Sequence, residues 1–413
     1  MTNLEILIQE LCPDGVEFRT MEEVFEIRNG YTPSKNNPDF WEGGTIPWFR
    51  MEDIRQNGRI LSDAIQHITP AAIKGKGLFP ANSIIIATTA TIGEHALVIA
   101  DSLANQQFTN LVVRKSLSAC LLPKFVFYYM FVIDEWCKKN VNAGNFASVD
   151  MKRFKKLEFP LPPIEVQTEI VRILDKFTSL EAELEAELDC RKRQYEYYRD
   201  KLLSFENVGG GQEVEWKKMS EVGTFIRGNG LQKKDFTESG VGCIHYGQIY
   251  TKFNTFTDKT LTYCSENVAR KLTPVHPGDL IIACTSENVE DVCKTVAWLG
   301  KEDIVTGGHA CVFSHHENPK YIAYLLQTEN FFQQKKKYAR GVKVIDIKVA
   351  DLQKITLPIP SLEEQHRIVS ILDRFESLAT SLQSGLPAEI AARRQQYEHY
   401  RDKLLTFKRK GAA

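Results

Sequence analysis

Apolar and aromatic residues fall at positions 170, 173, 177, 180, 184, 188, 195, 198, 202 and 205, mostly three or four apart. That period predicts one long amphipathic helix from Ile164 to Phe205, a rod of roughly 60 Å. Pro160, Pro162 and Pro163 stop the strand before it and set its start. A second stripe at 368, 371, 375, 378, 382, 386, 390, 397, 400, 404 and 407 predicts a second helix from Leu362 to Phe407. Ser384-Gly385-Leu386-Pro387 should kink or briefly break it. A lone rod would leave its apolar seam in water, so the two are expected to pair as an antiparallel coiled coil with pseudo-twofold symmetry. Elsewhere, β-branched runs such as Ser83–Ala87 and Leu111–Val113 alternate with Gly, Asn and Pro turns. Helices are expected near Lys124–Met130 and Tyr321–Leu326. The fold class is therefore α+β: two similar domains with curved, barrel-like sheets, joined by the helical pair. The expected segments are 1–161 and 207–359 for the domains, and 162–206 and 360–413 for the helices. Glu206-Asn207-Val208-Gly209-Gly210-Gly211 reads as a linker.

The chain also repeats itself. Leu157-Glu158-Phe159-Pro160-Leu161-Pro162-Pro163-Ile164-Glu165-Val166-Gln167 recurs 198 positions later as Ile355-Thr356-Leu357-Pro358-Ile359-Pro360-Ser361-Leu362-Glu363-Glu364-Gln365. Ile170-Val171-Arg172-Ile173-Leu174-Asp175-Lys176-Phe177 returns as residues 368–375, and the run from Gln194 to Phe205 returns as residues 396–407. A period near 200 is too long for a solenoid and marks a duplicated domain pair.

Composition narrows the function. Of 413 residues, 43% are hydrophobic and 25% charged, ordinary for a globular protein. No apolar run reaches the ~18 residues needed to cross a bilayer, and the start of the chain lacks a secretory leader pattern. Nine cysteines without a C-x-x-C pair suit reduced thiols in a cytoplasm. No phosphate loop, H-E-x-x-H or G-x-S-x-G motif is present. His315-His316-Glu317 and Asn37-Pro38-Asp39-Phe40 read as simple turns. A duplicated chain without a catalytic motif fits a reader better than a catalyst. The formal net charge of -1 means that any nucleic-acid contact depends on local placement of charge.

Base readout needs amide, guanidinium, imidazole and hydroxyl groups on loops. The first block offers Arg28, Asn29, Tyr31, Arg50, Thr88, Thr89, Gln106, Gln107 and Asn145, with Lys152 and Arg153 as phosphate contacts. The second offers Arg227, Asn229, His245, Gln248, Thr285, Ser286, Asn288 and His309, with Arg340 and Lys343. They recur at equivalent offsets while their identities change, as expected of two scaffolds reading different sequences. A nuclease or methyltransferase with a divergent site, and a coiled-coil scaffold for other proteins, remain the alternatives.

The paired Pro-x-Pro…Glu-x-Gln…Ile-x-x-Ile-Leu-Asp-x-Phe helix starts and Gln-Tyr-Glu-x-Tyr-Arg-Asp-Lys-Leu-Leu-x-Phe ends resemble those of specificity subunits of type I restriction–modification systems. The resemblance implies two target recognition domains, each reading half of a bipartite, asymmetric site on double-stranded DNA, and no membrane partner. It implies two modification subunits that methylate adenine N6 with S-adenosylmethionine, and restriction subunits that use ATP and Mg for translocation and cleavage. No cofactor or metal is expected in this chain, which would be non-catalytic. The tandem Glu181-Ala182-Glu183-Leu184 and Glu185-Ala186-Glu187-Leu188 resembles a repeat found in one subfamily. Each four-residue unit adds about 6 Å of helix, so the pair would act as a ruler for the unread spacer.

Overall fold

The computed structural model describes residues 3–75, 77–142, 147–205, 214–380 and 385–411. The chain divides into two compact units. One comprises residues 1–183 with 390–413, the other residues 184–389. Each therefore combines one sheet-bearing block with the start of one long helix and the end of the other.

In the first unit a five-stranded sheet orders its strands Phe25–Asn29, Phe108–Val113, Ser83–Ala87, His95–Val98 and Ile60–Leu61. Ser83–Ala87 is buried on both faces. Ile84 and Ile86 pack toward the helix Pro123–Lys139, while Ile85 and Ala87 pack toward Trp48, Phe49 and Leu103 of a smaller sheet. Period-two alternation thus serves two cores at once, which explains the continuous apolar run. The smaller sheet joins Ile46–Phe49 in parallel to Leu103–Ala104 and antiparallel to His67–Ile68.

The second unit repeats the plan. Gly223–Arg227, Ala310–His315, Leu280–Ala283, Thr295–Trp298 and Phe256–Thr257 follow in the same order. Leu280 and Ile282 face one core, Ile281 and Ala283 the other. Two differences stand out. The smaller sheet grows to five strands around the parallel pair Val241–Ile244 and Ile304–Thr306. The single helix of the first unit becomes two, Pro319–Leu325 and Glu329–Lys336, because the Thr328 hydroxyl accepts from the Phe331 N–H and starts a new helix. Among the described residues no sheet closes into a barrel. With five strands and unpaired outer edges the sheets stay open, and the expected barrel-like curvature stops short of closure.

The long helix Ile164–Ser204 forms as one element of 41 residues. The second is described as Leu362–Thr380 and Leu386–Leu404; Ser384, part of the expected kink, lies outside the described residues. The repeated motif has a plain structural purpose. Gln167 is fully buried, donates to the carbonyls of Cys120 and Pro162 at 2.7 Å each, and accepts from the Leu122 N–H at 2.9 Å. Gln365 donates to the Pro360 carbonyl and the Glu317 carboxylate and accepts from the Asn318 N–H. Asp175 receives the Tyr128 hydroxyl and the Lys124 ammonium; Asp373 receives Tyr324 and Lys320. These side chains lock each helix start onto its own recognition block.

Within each unit the helix start also meets the end of the other long helix, antiparallel. In the first unit Phe177 stacks on Tyr400 at 5.6 Å, and Glu181 pairs with Arg394. In the second Phe375 stacks on Tyr198 at 6.0 Å. The predicted seam is imperfect. Ile170 is buried, but Val166, Leu174, Leu203, Leu372 and Leu405, all outside the stripe, are buried too, whereas Leu180, Tyr198, Phe375 and Tyr400 are more than a third exposed. The buried face turns toward the recognition blocks, which offer more apolar surface than a second helix. No described helix is long and apolar enough to cross a membrane.

Candidate nucleic-acid interface

In the first unit three strands end together. Asn29 pairs with Thr109, and Ala87 with Phe108, so the loops after 29, after 87 and before 108 share one sheet edge. Thr88 N–H donates to the Gln107 carbonyl, and Val149 N–H to the Thr88 carbonyl, which brings Thr89 beside Ser148. Asn105 N–H reaches the Phe49 carbonyl, adding the helix Met51–Asn57 and its cap residue Arg50. Asn29, Tyr31, Arg50, Thr88, Thr89, Gln106 and Gln107 therefore lie in or beside loops that leave this one edge.

Their chemistry is not uniform. Arg28 donates to the Leu78 carbonyl at 2.8 Å and lies over the Phe79 ring, so it braces the loop. Tyr31 does likewise, donating to the Ala72 carbonyl and accepting from the Lys74 N–H. Thr88, Thr109 and Asn29 form a hydrogen-bonded row, with Thr109 donating to Asn29 at 3.1 Å. Gln106 accepts from Thr32. A cavity of about 310 Å³ beside this edge is lined by Arg50, Met51, Glu52, Arg55, Thr91, Asn105 and Gln107. Arg50 Nε and Thr91 Oγ1 are buried there, and neither has a hydrogen-bond partner among the described residues. Each carries the desolvation cost of a buried polar atom. Asn105 fixes Gln107 by accepting its N–H at 3.0 Å. Lys152 and Arg153 are exposed on the helix Met151–Lys156, whose cap, Asp150, follows Val149. Asn145 lies outside the described residues.

The second unit places His245 where the first has Arg50, as cap of the helix after the parallel strand. His245 Nδ1 accepts from the Gly247 N–H at 3.1 Å, so the neutral ring carries its proton on Nε2. Burial, together with Lys233 and His309, holds its pKa below the usual histidine value. The rings of His245 and Tyr246 lie 4.5 Å apart, and those of Tyr246 and His309 5.0 Å. An aromatic row thus stands where the first unit has a guanidinium and amides. His309 adopts φ +67° and its carbonyl receives the Cys284 N–H, which places it at the sheet edge beside Thr285 and Ser286.

Several expected readers here serve structure. Gln248 is the return half of the His245 cap and binds Thr262. The Thr285 carbonyl receives the Tyr250 hydroxyl. Asn288 is taken up by Asp291, accepting its N–H at 2.7 Å and donating to its carboxylate at 2.8 Å. Arg227 approaches Asp346 at 3.7 Å but stays half exposed, and Asn229 is exposed beside it. Arg340 and Lys343 lie on the hairpin that pairs Ile345–Asp346 with Thr285–Ser286. Asn105, Thr91 and Tyr246 were not among the expected readers. The run Asn105-Gln106-Gln107 and the adjacency of Tyr246 to His245 carried the available signal.

The two turns read from sequence differ in outcome. Pro38–Phe40 is a short turn whose Asn37 side chain accepts the Asp39 N–H. His315 instead ends a core strand, and burial lowers its pKa to about 4.

The sequence model of the type I restriction modification DNA specificity domain matches residues 13–189 and again 212–392. The EcoprrI type I restriction enzyme specificity subunit of Escherichia coli is 39% identical over 404 residues, covering 92% of each chain. The EcoR124I/EcoR124II specificity subunit, also of Escherichia coli, is 35% identical over 69% of this chain and 71% of its own. Among solved structures, a chain from work on assembly and conformational transition of the type I R-M system superposes with a TM-score of 0.64, covering 95% of this chain and 97% of that one, at 16% identity, a likeness of fold. Carrying two such domains, which together span most of its length, the chain belongs to the family of type I restriction–modification DNA-specificity subunits.

Proposed function

We propose that this chain selects the DNA sequence on which other subunits act. Each unit reads one half of a bipartite site in double-stranded DNA, and the helices set the unread spacer. Two modification subunits dock on the chain and methylate adenine N6 using S-adenosylmethionine. Restriction subunits bring ATP, Mg and cleavage. The chain itself is non-catalytic and works in the cytoplasm. The observation that carries this reading is the pairing of equal scaffolds with unequal edges, Arg50 and Gln107 in one, His245, Tyr246 and His309 in the other. Bidentate guanidinium and amide groups discriminate base edges by about 1–3 kcal/mol each, whereas exposed lysines such as Lys152 add sequence-independent phosphate contact.

The test is a map of N6-methyladenine in cells that hold the modification subunits, with and without this chain. A gapped motif should appear only with it. Adding a third Glu-Ala-Glu-Leu unit should lengthen the gap and leave both half-sites unchanged. Methyl transfer or cleavage by the purified chain alone, or marks that ignore sequence, would overturn the proposal.

A further inference from the structure

In the second unit a hairpin closes where Arg340 N–H donates to the Asp346 carbonyl at 3.1 Å and Asp346 N–H donates back at 2.8 Å. Its tip, Gly341-Val342-Lys343-Val344, is exposed throughout. Val342 is 96% exposed, the highest of the large apolar side chains among the described residues, and Val344 is 59% exposed. The tip is tightly specified: Gly341 has φ +119°, and a Cβ there would stand 2.0 Å from the Val344 carbonyl oxygen. Only glycine fits.

Single surface valines are ordinary, but this one has a setting. Lys336, Lys337, Arg340, Lys343 and Lys348, which flank the tip in sequence, are all exposed. The carboxylates in the same segment are engaged, Asp346 by Arg227 and Asp351 by Lys354 and Arg340. The return strand of the hairpin lies on Thr285–Ser286, so the tip shares its edge with His309. A basic rim around an apolar tip fits a polyanion that carries apolar groups within its grooves. On duplex DNA that group is the thymine C5-methyl, which the major groove presents. The side chains that wedge between base steps are mostly longer or broader than valine.

We propose that Val342 recognises a thymine in or beside the second half-site by contact with its C5-methyl group, with Arg340 and Lys343 holding the flanking phosphates. This rests on the DNA-reading function proposed above. The test uses the full chain assembled with its modification subunits and duplexes carrying the mapped site. Each thymine of the second half-site and its flanks is replaced in turn by deoxyuridine, which keeps pairing and removes only the methyl. At one position the wild-type complex should bind about fourfold more weakly, the value of one buried methyl-sized group. Val342→Ala should bind the thymine duplex as weakly, and should not respond to uracil at that position. Absence of any thymine there, or of any substitution whose effect depends on Val342, overturns the proposal. So does a V342A chain that fails to retain its modification subunits, because the hairpin would then be a protein-docking surface. A wild-type complex without sequence preference would instead fail the function proposed above, so the two failures are distinguishable.

Discussion

Arg50 and His245 occupy the same place in two copies of one scaffold, each capping the helix after the parallel strand of the smaller sheet. Both caps use a side chain three residues on, Asp53 in one and Gln248 in the other, to accept the cap residue's N–H. Around that shared frame the chemistry parts. Arg50, whose Nε is buried without a partner among the described residues, lines a polar cavity with Thr91 and Gln107, while His245 joins a row of rings with Tyr246 and His309. The scaffold is held by groups deep in each unit, such as Gln167 and Gln365, while the residues at its outer edge differ between the two copies. That separation leaves two copies of one scaffold with edges of different chemistry.

The largest test concerns what the units share. Gln167→Met and Gln365→Met should each cost about 2–4 kcal/mol in urea unfolding, since each strands a buried N–H and at least one carbonyl. If only one substitution destabilises, the two clamps are not equivalent.

The next concerns where the cores differ. His315 faces Gly223 in the second unit, at the position where Val113 faces Phe25 in the first. Its folded pKa of about 4 lies below the ordinary 6.5. The unfolded chain therefore binds the proton first. Stability is full above pH 6.5 and falls as pH drops toward 4, by up to about 3 kcal/mol. Urea melts at pH 7 and pH 4.5 should show His315→Val narrowing that loss; an unchanged pH dependence would assign it elsewhere.

At the reading edges, Arg50→Ala should weaken binding roughly 10- to 100-fold and relax the first half-site alone. His245→Ala should relax the second alone. Methylation maps check both, and a change in the opposite half-site would break the assignment of one half-site to each unit. The smallest effect is expected at Asn288, already taken up by Asp291. Asn288→Ala should leave the methylated motif unchanged and binding within about twofold, because it removes a turn contact rather than a base contact.

The sequence by itself determined the duplication, the long helices, the strands around Ser83–Ala87 and Leu111–Val113, and the family. Those features are local or periodic: 3.6-residue and two-residue alternation and a repeated motif survive in one dimension. Only the tertiary structure decided which polar residues are left to bind. Arg28, Tyr31, Gln248 and Asn288 look like readers in the chain, yet each is occupied by a partner far away or by its own turn. Thr91 and Asn105 look ordinary and line the cavity. A side chain's hydrogen-bonding capacity is written in its type, but whether that capacity is already used depends on neighbours distant in the chain, as between Arg28 and Leu78, 50 residues apart.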